Sequence, residues 1–379
     1  MSLPSQQQSL VDAVCAAALA EARAHLAARL GRAASQAALD ARLADGLREL
    51  NALLTSHRAE RHRDYLSDPR LQLAYLAHHL PMHAAKVALL VQENIGPRPE
   101  GELRILDVGA GPLSGALGVG AALGQPARVV ALDRVGAMMR VGAGVLARLA
   151  PGVRAELVVE GVQAAAGLAR RHRPHVVVLA NVVGELGTGG RALDERAALL
   201  RGLLEALEPS AHLLVLEPGT RIHAGELVAV RERLLRTAGV HVHAPCVGVP
   251  ACPLAGGRDW CHADRWVQWP ADYAALAARA GIRAAALKFS FLWLSRSPAP
   301  ARPGLLRLIG GPMSPRPATT LRYACGPRGR VTLSARDPAA QRLLAAPPRG
   351  ALFAPGANVE QTVEGPPQPT RGRRRRRPS

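Results

Sequence analysis

Three of the chain's five cysteines, Cys246, Cys252 and Cys261, fall within one stretch, HAPCVGVPACPLAGGRDWCHA. A fourth, Cys325, follows in RYACGPRG. Four thiolates from two separated loops can close a tetrahedral zinc site or hold a [4Fe–4S] cluster. The intervals of five and then eight residues are irregular for a zinc ribbon, which uses paired C-x2-C knuckles, so spacing leaves both metals open. His243 and His262 are available as substitute donors, although a His beside Cys is more often simply solvated or hydrogen-bonded. The plain alternative is a set of buried thiols, because free Cys behaves as a small hydrophobe. Against it, the segment has little apolar periodicity and little core to hide in. A redox disulfide fits an irregular four-Cys set poorly. Cys15 lies on the apolar face of a helical pattern and reads as core.

A second constellation is ILDVGAGPLSG, a strand that ends in glycines and opens a helix. Gly109 and Gly111 permit a tight turn and close approach of a ligand, and a helix N-terminus offers free N–H groups. Asp133 closes the next apolar run, 24 residues after Gly109, where an acid can accept from both ribose hydroxyls. Loop and acid together point to a nucleoside-containing cofactor: S-adenosylmethionine or a nicotinamide dinucleotide. Asp107, placed to meet a charged amino group, and Asn181, at the end of HVVVLAN, favour S-adenosylmethionine. A glycine-rich turn that binds nothing is the alternative, since a lone motif of this type has many false positives.

The elements that must position these residues are readable. RILDVG, RVVALD, RAELVVEG, HVVVLAN and HLLVLEPG alternate with Ala/Leu/Arg helical stretches, the signature of a parallel sheet with crossover helices. Residues 8–58 carry helical spacing, and a further helix runs from about Leu71 to Gln92, interrupted near Pro81. The apolar run over 285–295 is long enough for another strand of the same sheet. The expected division is a helical module at 1–98 and a cofactor-binding domain at 99–296 with a Cys-rich insertion at 240–270. A small β-rich extension at 297–350 supplies Cys325, and 351–379 forms a disordered basic tail.

Apolar residues make up 48% of the 379-residue chain, enough for a full α/β core and a second module. No window reads as a membrane span and no secretory signal is recognised. A reducing cytosol follows, where clustered cysteines more often bind metal than form disulfides. The net charge is +19, and six of those charges lie in the last nine residues. A field of that sign attracts polyanions, with nucleic acid the natural partner and the tail set to neutralise backbone phosphates. DWCHADRWVQWP holds three of the four tryptophans, placed to shield the thiols from water or to stack on RNA bases.

DVGAG, ALD and VVVLANVVGELG resemble the cofactor motifs of class I methyltransferases, with Pro112 a departure from the first. HAPCVGVPACPL…DWCH, then LKFSFLWLSR, then RYACGPRGRV, is similar to a methyltransferase-like family of ribosomal small-subunit assembly factors. YLAHHLPMHAAKVALL and LVLEPGT belong to the same likeness, which reaches from about residue 70 to about residue 345. Where that family often has PCPH, this chain has PCVGVP, with no Cys lost. The resemblance implies a Rossmann-like α/β class I methyltransferase sheet that binds S-adenosylmethionine. It also implies a [4Fe–4S] site on Cys246, Cys252, Cys261 and Cys325, and binding to small-subunit rRNA. The expected protein is a cytoplasmic, bacterial monomer. It methylates rRNA or serves as a non-catalytic assembly factor on the same fold; a nicotinamide-dependent oxidoreductase with an iron–sulfur relay is the third reading. No catalytic residue is identified.

Overall fold

Strands of Val, Ile and Leu, too apolar to face water on either side, must be covered by helices on both faces. The computed structural model describes residues 5–30, 34–55, 65–96, 100–187, 189–248, 250–257, 259–283 and 286–364. Three helices come first: α1 (Ser5–Leu30), α2 (Gln36–Leu54) and α3 (Pro69–Asn94). Then follow β1 (Leu103–Val108), α4 (Ser114–Leu123), β2 (Ala127–Asp133), α5 (Gly136–Leu149) and β3 (Val153–Val159). The second half of the sheet is built by α6 (Ala165–His172), β4 (Val176–Ala180), α7 (Ala192–Ala206), β5 (His212–Pro218) and α8 (Arg221–Leu234). It is completed by β6 (His241–Ala244), β7 (Ala263–Arg265), α9 (Ala271–Arg279) and β8 (Leu287–Ser295).

Among the described residues the strand order is β3-β2-β1-β4-β5-β8-β6, with β7 also paired to β8. The pairs from β3 to β5 are parallel, whereas β8 runs antiparallel to β5, β6 and β7. This is the expected Rossmann-like methyltransferase sheet, with the 285–295 run inside it. Strand order reverses between β1 and β4, and ligands of open α/β sheets bind outside the carboxyl ends at such a switch point. Gly109 and Asn181 follow these two strands.

One core cluster joins α1, α2, α3, α4 and α5 to one face of the sheet, from Val11 to Trp293. The first three helices therefore share the sheet's core instead of forming a separate one, and Cys15 is buried among them as expected. A second cluster packs α6, α7 and α8 on the other face. The break expected at Pro81 does not occur: α3 runs through it unbroken. Proline removes one backbone donor, but α3 is buried over most of its surface, and that packing holds the helix together.

Beyond the sheet, β9 (Leu306–Leu308), β10 (Met313–Arg316), β11 (Thr319–Gly326), β12 (Gly329–Ala335), α10 (Pro338–Ala345), β13 (Leu352–Phe353) and β14 (Glu360–Val363) follow. They form a second, antiparallel sheet in the order β13-β9-β11-β12-β14, with β10 on β11, over a small core of its own. Disorder was expected from residue 351, yet β13 and β14 pair within this sheet, with Val363 opposite Val331. EQTV is an exposed edge strand, and its polar residues carry no burial signal. The polybasic run lies outside the described residues. Among the described residues, no helix is long and apolar enough to cross a membrane.

Candidate functional site

At the end of β1 the chain turns through two left-handed glycines, Gly109 (φ +66°) and Gly111 (φ +52°). The N–H groups of Gly109 and Ala110 donate to Leu132 O at 2.7 and 3.0 Å, which ties the loop to the end of β2. A side chain at Gly109 would collide with Val182, whereas one at Gly111 would meet nothing within 4 Å. The loop therefore packs at its first glycine and opens at its second. Asp133 Oδ2 accepts the Gly111 N–H at 2.9 Å, and Oδ1 accepts the Val135 N–H at 2.8 Å. Each carboxylate oxygen has a further lone pair, so this acid is held in place with acceptor capacity left over.

Asp107 is differently employed. It is buried, and Oδ2 accepts the Ala116 N–H at 2.8 Å while the Gly115 N–H also bonds to the carboxylate. Burial pushes its pKa up to about 7; the charge of Asp133 adds to this and the two N–H bonds oppose it. Instead of reaching toward a cofactor, Asp107 caps α4. Its side chain already takes up the Gly115 and Ala116 N–H groups at the helix N-terminus, so a pyrophosphate would not find them free.

Asn181 leaves β4 in the left-handed region (φ +60°), its N–H on Leu216 O at 2.7 Å. Its side-chain Nδ2 lies 3.0 Å from His83 Nε2 on α3, and His83 Nδ1 lies 3.2 Å from the Tyr75 hydroxyl. Burial drives the Tyr75 phenol well above its ordinary pKa, with the charges of Tyr65, Glu185 and Asp133 adding to it. The His79 ring lies tilted beside both, 4.9 Å from the Tyr75 ring and 5.9 Å from that of His83, with a buried Nε2 that has no hydrogen-bond partner. Burial holds both histidines well below the ordinary imidazole range, and Lys86 is brought down to about 8 for the same reason. The sequence reading missed this wall. Tyr75, His79 and His83 recur every four residues in an otherwise Leu/Ala-rich helix, which places them on one face, and that spacing was the available signal.

The thiols come from four different places. Cys246 follows β6, and its Sγ accepts from Arg231 Nε on α8 at 3.2 Å. Arg231 also pairs with Glu232, whose Oε1 accepts the Cys252 N–H at 3.1 Å, so α8 anchors two of the cysteines. Cys261 O accepts from Ser290 Oγ on β8 at 2.8 Å. Cys325, on β11, has Arg307 on β9 and Arg330 on β12 as its cross-strand partners. Cys252, Cys261 and Cys325 pack in one small cluster with Leu254, Ile309 and Tyr323. Burial pushes the Cys261 thiol up to about 12, with Cys246 and Cys252 adding, and Cys325 is raised in the same way by burial and then by the other three. Cys261 and Cys325 thus stand within electrostatic reach of other thiols of the set.

Among the described residues, no group of three or more His, Cys, Asp or Glu side chains is positioned as a ready metal site. The donor chemistry still fits a soft cation. Cys252, Cys261 and Cys325 are raised, first by burial and then by neighbouring thiols, and such thiols give up protons most readily to a cation that takes their place. His243 and His262 are otherwise engaged: His243 Nε2 lies 2.9 Å from Ser297 O, and His262 Nε2 lies 2.5 Å from an Arg349 nitrogen. Of the tryptophans, Trp260 stacks on His262 near the thiols, Trp266 is 59% exposed and Trp269 stacks on Tyr273. The expected aromatic shield is therefore at most one ring.

No curated protein matches the chain. Solved structures similar to it include a mitomycin 7-O-methyltransferase (18% identity, 62% of this chain and 59% of that one, TM-score 0.32). Others are a SAM-dependent methyltransferase from Agrobacterium tumefaciens (16%, 57% and 62%, 0.34) and a methyltransferase homologue from Pyrococcus horikoshii (15%, 57% and 66%, 0.37). The chain spans less than two thirds of the length of each. The family model described as mitochondrial small ribosomal subunit Rsm22 matches residues 70–318. That span opens in the first turn of α3, takes in the glycine loop, Asp133, Asn181 and three of the thiols, and ends before Cys325. With well over half its length matched, the chain belongs to the Rsm22 family of mitochondrial small ribosomal subunit proteins.

Proposed function

We propose that the chain is an S-adenosylmethionine-binding, iron–sulfur methyltransferase-like protein that acts on small-subunit rRNA during ribosome assembly. The observation that carries the cofactor is Asp133, held at the switch point by Gly111 and Val135 with lone pairs to spare. Asp133 accepts the ribose hydroxyls, and Gly111 leaves room for the cofactor beside the loop. S-adenosylmethionine supplies an electrophilic methyl group when bound; transfer then needs mainly proximity and alignment. Asn181, His83 and Tyr75 form the wall of the cleft and orient what enters it. The Asp107 cap disfavours a pyrophosphate, and so disfavours the nicotinamide reading.

Cys246, Cys252, Cys261 and Cys325 hold the metal centre, a [4Fe–4S] cluster with zinc as the alternative. It fastens the 240–270 insertion to the second sheet. The positive charge, including the tail, attracts rRNA phosphates, and the protein works as a monomer in a reducing bacterial cytoplasm. Crosslinking in cells followed by sequencing of the bound RNA tests this. Recovery of small-subunit rRNA supports it; diffuse, salt-labile binding to all RNA contradicts it. Labelled methyl groups incorporated into that RNA assign catalysis, and cofactor binding without incorporation assigns the non-catalytic assembly role.

A further inference from the structure

Arg307 is a buried cation, 4% exposed, on β9. Its Nε donates to Pro245 O at 2.7 Å and its NH1 to Gly350 O at 2.6 Å, both neutral carbonyls. Its NH2 is buried with no hydrogen-bond partner, and no carboxylate lies within ion-pair distance of it among the described residues. Guanidinium does not release its proton in a protein, and a buried unpaired charge is costly, so something anionic belongs beside it.

The neighbouring acids are committed elsewhere. Glu93 is held by Arg265 at 2.8 and 2.9 Å. The other two arginines near the thiols have carboxylates of their own: Arg231 has Glu232, and Arg330 has Asp259 at 3.0 Å and Glu364 at 2.9 Å. Arg302 adds a further positive charge near Arg307. Of Arg231, Arg307 and Arg330, Arg307 alone has no carboxylate partner among the described residues.

Its surroundings supply the anion. Arg307 is the cross-strand partner of Cys325, and such partners project from the same face of a sheet. Pro245, which it grips, precedes Cys246. It also lines a cavity with Cys261, Ser290 and Ile309. One side chain is thus placed opposite Cys325, on the carbonyl that precedes Cys246 and in a cavity shared with Cys261. A tetrathiolate zinc or [4Fe–4S] centre carries a net charge of about −2.

We propose that Arg307 is a charge-compensating residue of the thiol centre, its NH2 arm donating into the cavity it shares with Cys261. This rests on the reading of the four thiols as metal ligands. Arg307 is a positioning residue: it sets the electrostatic environment of the centre, while the sulfurs bind it.

The test compares wild type, Arg307→Met and Arg307→Lys in the full chain purified anaerobically. Iron, sulfide and zinc are measured, together with the rate of metal loss to EDTA and, for a cluster, its midpoint potential. Arg307→Met is expected to lose metal at least tenfold faster. Its cluster is expected to be at least tenfold harder to reduce, a shift of about 59 mV for one electron. Arg307→Lys is expected to recover most of both effects. Arg307→Gln, uncharged but still a donor, replaces the Met variant if that form does not fold. A centre whose release rate and potential do not change on loss of the charge overturns the proposal. So does a lysine variant as defective as the methionine one, which would mark a packing role. A wild-type chain without metal overturns the thiol-centre reading and the proposal together; a metallated wild type with indifferent variants overturns the proposal alone.

Discussion

Asn181 Nδ2 lies 3.0 Å from His83 Nε2, joining the end of β4 to the middle of α3 across the mouth of the sheet. This contact ties the helix preceding the methyltransferase-like sheet to the carboxyl end of β4, at the switch point where the cofactor is proposed to bind. It also requires a neutral imidazole: with the amide donating, Nε2 must accept, and a protonated ring has no lone pair to offer there.

The neutral histidines of α3 make stability depend on pH. His78, His79 and His83 have folded pKa values below that of an unfolded histidine, His78 at about 4. The unfolded chain therefore binds protons that the folded chain refuses. Their contribution is intact above about pH 6.5 and is lost as pH falls toward 4. Asp107 and Glu217, raised to about 7, act in the opposite sense in part of that window, so a difference between variants is the cleaner measurement. His78 stacks on Tyr273 and has an unpartnered Nδ1, which makes His78→Phe a conservative replacement. In urea unfolding, its stability relative to wild type is expected to be about 2 kcal/mol more favourable at pH 5 than at pH 8. An equal difference at both pH values would contradict neutral burial.

Asp133→Ala removes the acceptor of the Gly111 and Val135 N–H groups and of the proposed ribose contact. Calorimetry is expected to show S-adenosylmethionine affinity reduced roughly tenfold to hundredfold, about 1.4–2.7 kcal/mol. The far-ultraviolet circular dichroism should be unchanged, since Asp133 is only half-buried at a strand end. Undiminished affinity would remove the nucleoside-binding role.

The two loop glycines should respond differently to alanine. Gly109→Ala combines a left-handed φ with a collision against Val182 and is expected to cost roughly 2–4 kcal/mol of stability. Gly111→Ala meets open space and is expected to cost only about 1 kcal/mol. It should nevertheless weaken cofactor binding at least tenfold, by placing a methyl group where the cofactor approaches. Equal stability losses with unchanged affinity would mean that the loop does not face a ligand.

The inner strands were legible because a sheet buried on both faces leaves Val/Ile/Leu runs, and β1, β2, β4, β5 and β8 lie where those runs predict; β3, an edge strand with no buried residue, is carried by its Leu-Val-Val run alone. The chemistry of Asp107 was not legible, because a motif places an acid near a loop without showing which N–H groups it will face. Pro81 misled because the local cost of proline is visible in sequence, whereas the packing that overrides it comes from distant helices. β14 was hidden by its polarity as an exposed edge. The four cysteines could be listed from sequence; the packing of Cys252 and Cys261 with Cys325 comes from the tertiary fold, and the placing of Arg307 opposite Cys325 from the register of β9 and β11.

The most direct test of the account is metal analysis of the anaerobically purified full chain beside Cys325→Ser, the thiol contributed by the second sheet. The wild type is expected to be brown, with iron and sulfide at about four each per chain. The variant should lose most of both while keeping the helix and strand content of the wild type. A colourless wild type holding one zinc would contradict the iron–sulfur assignment, and one holding no metal would contradict the thiol centre altogether.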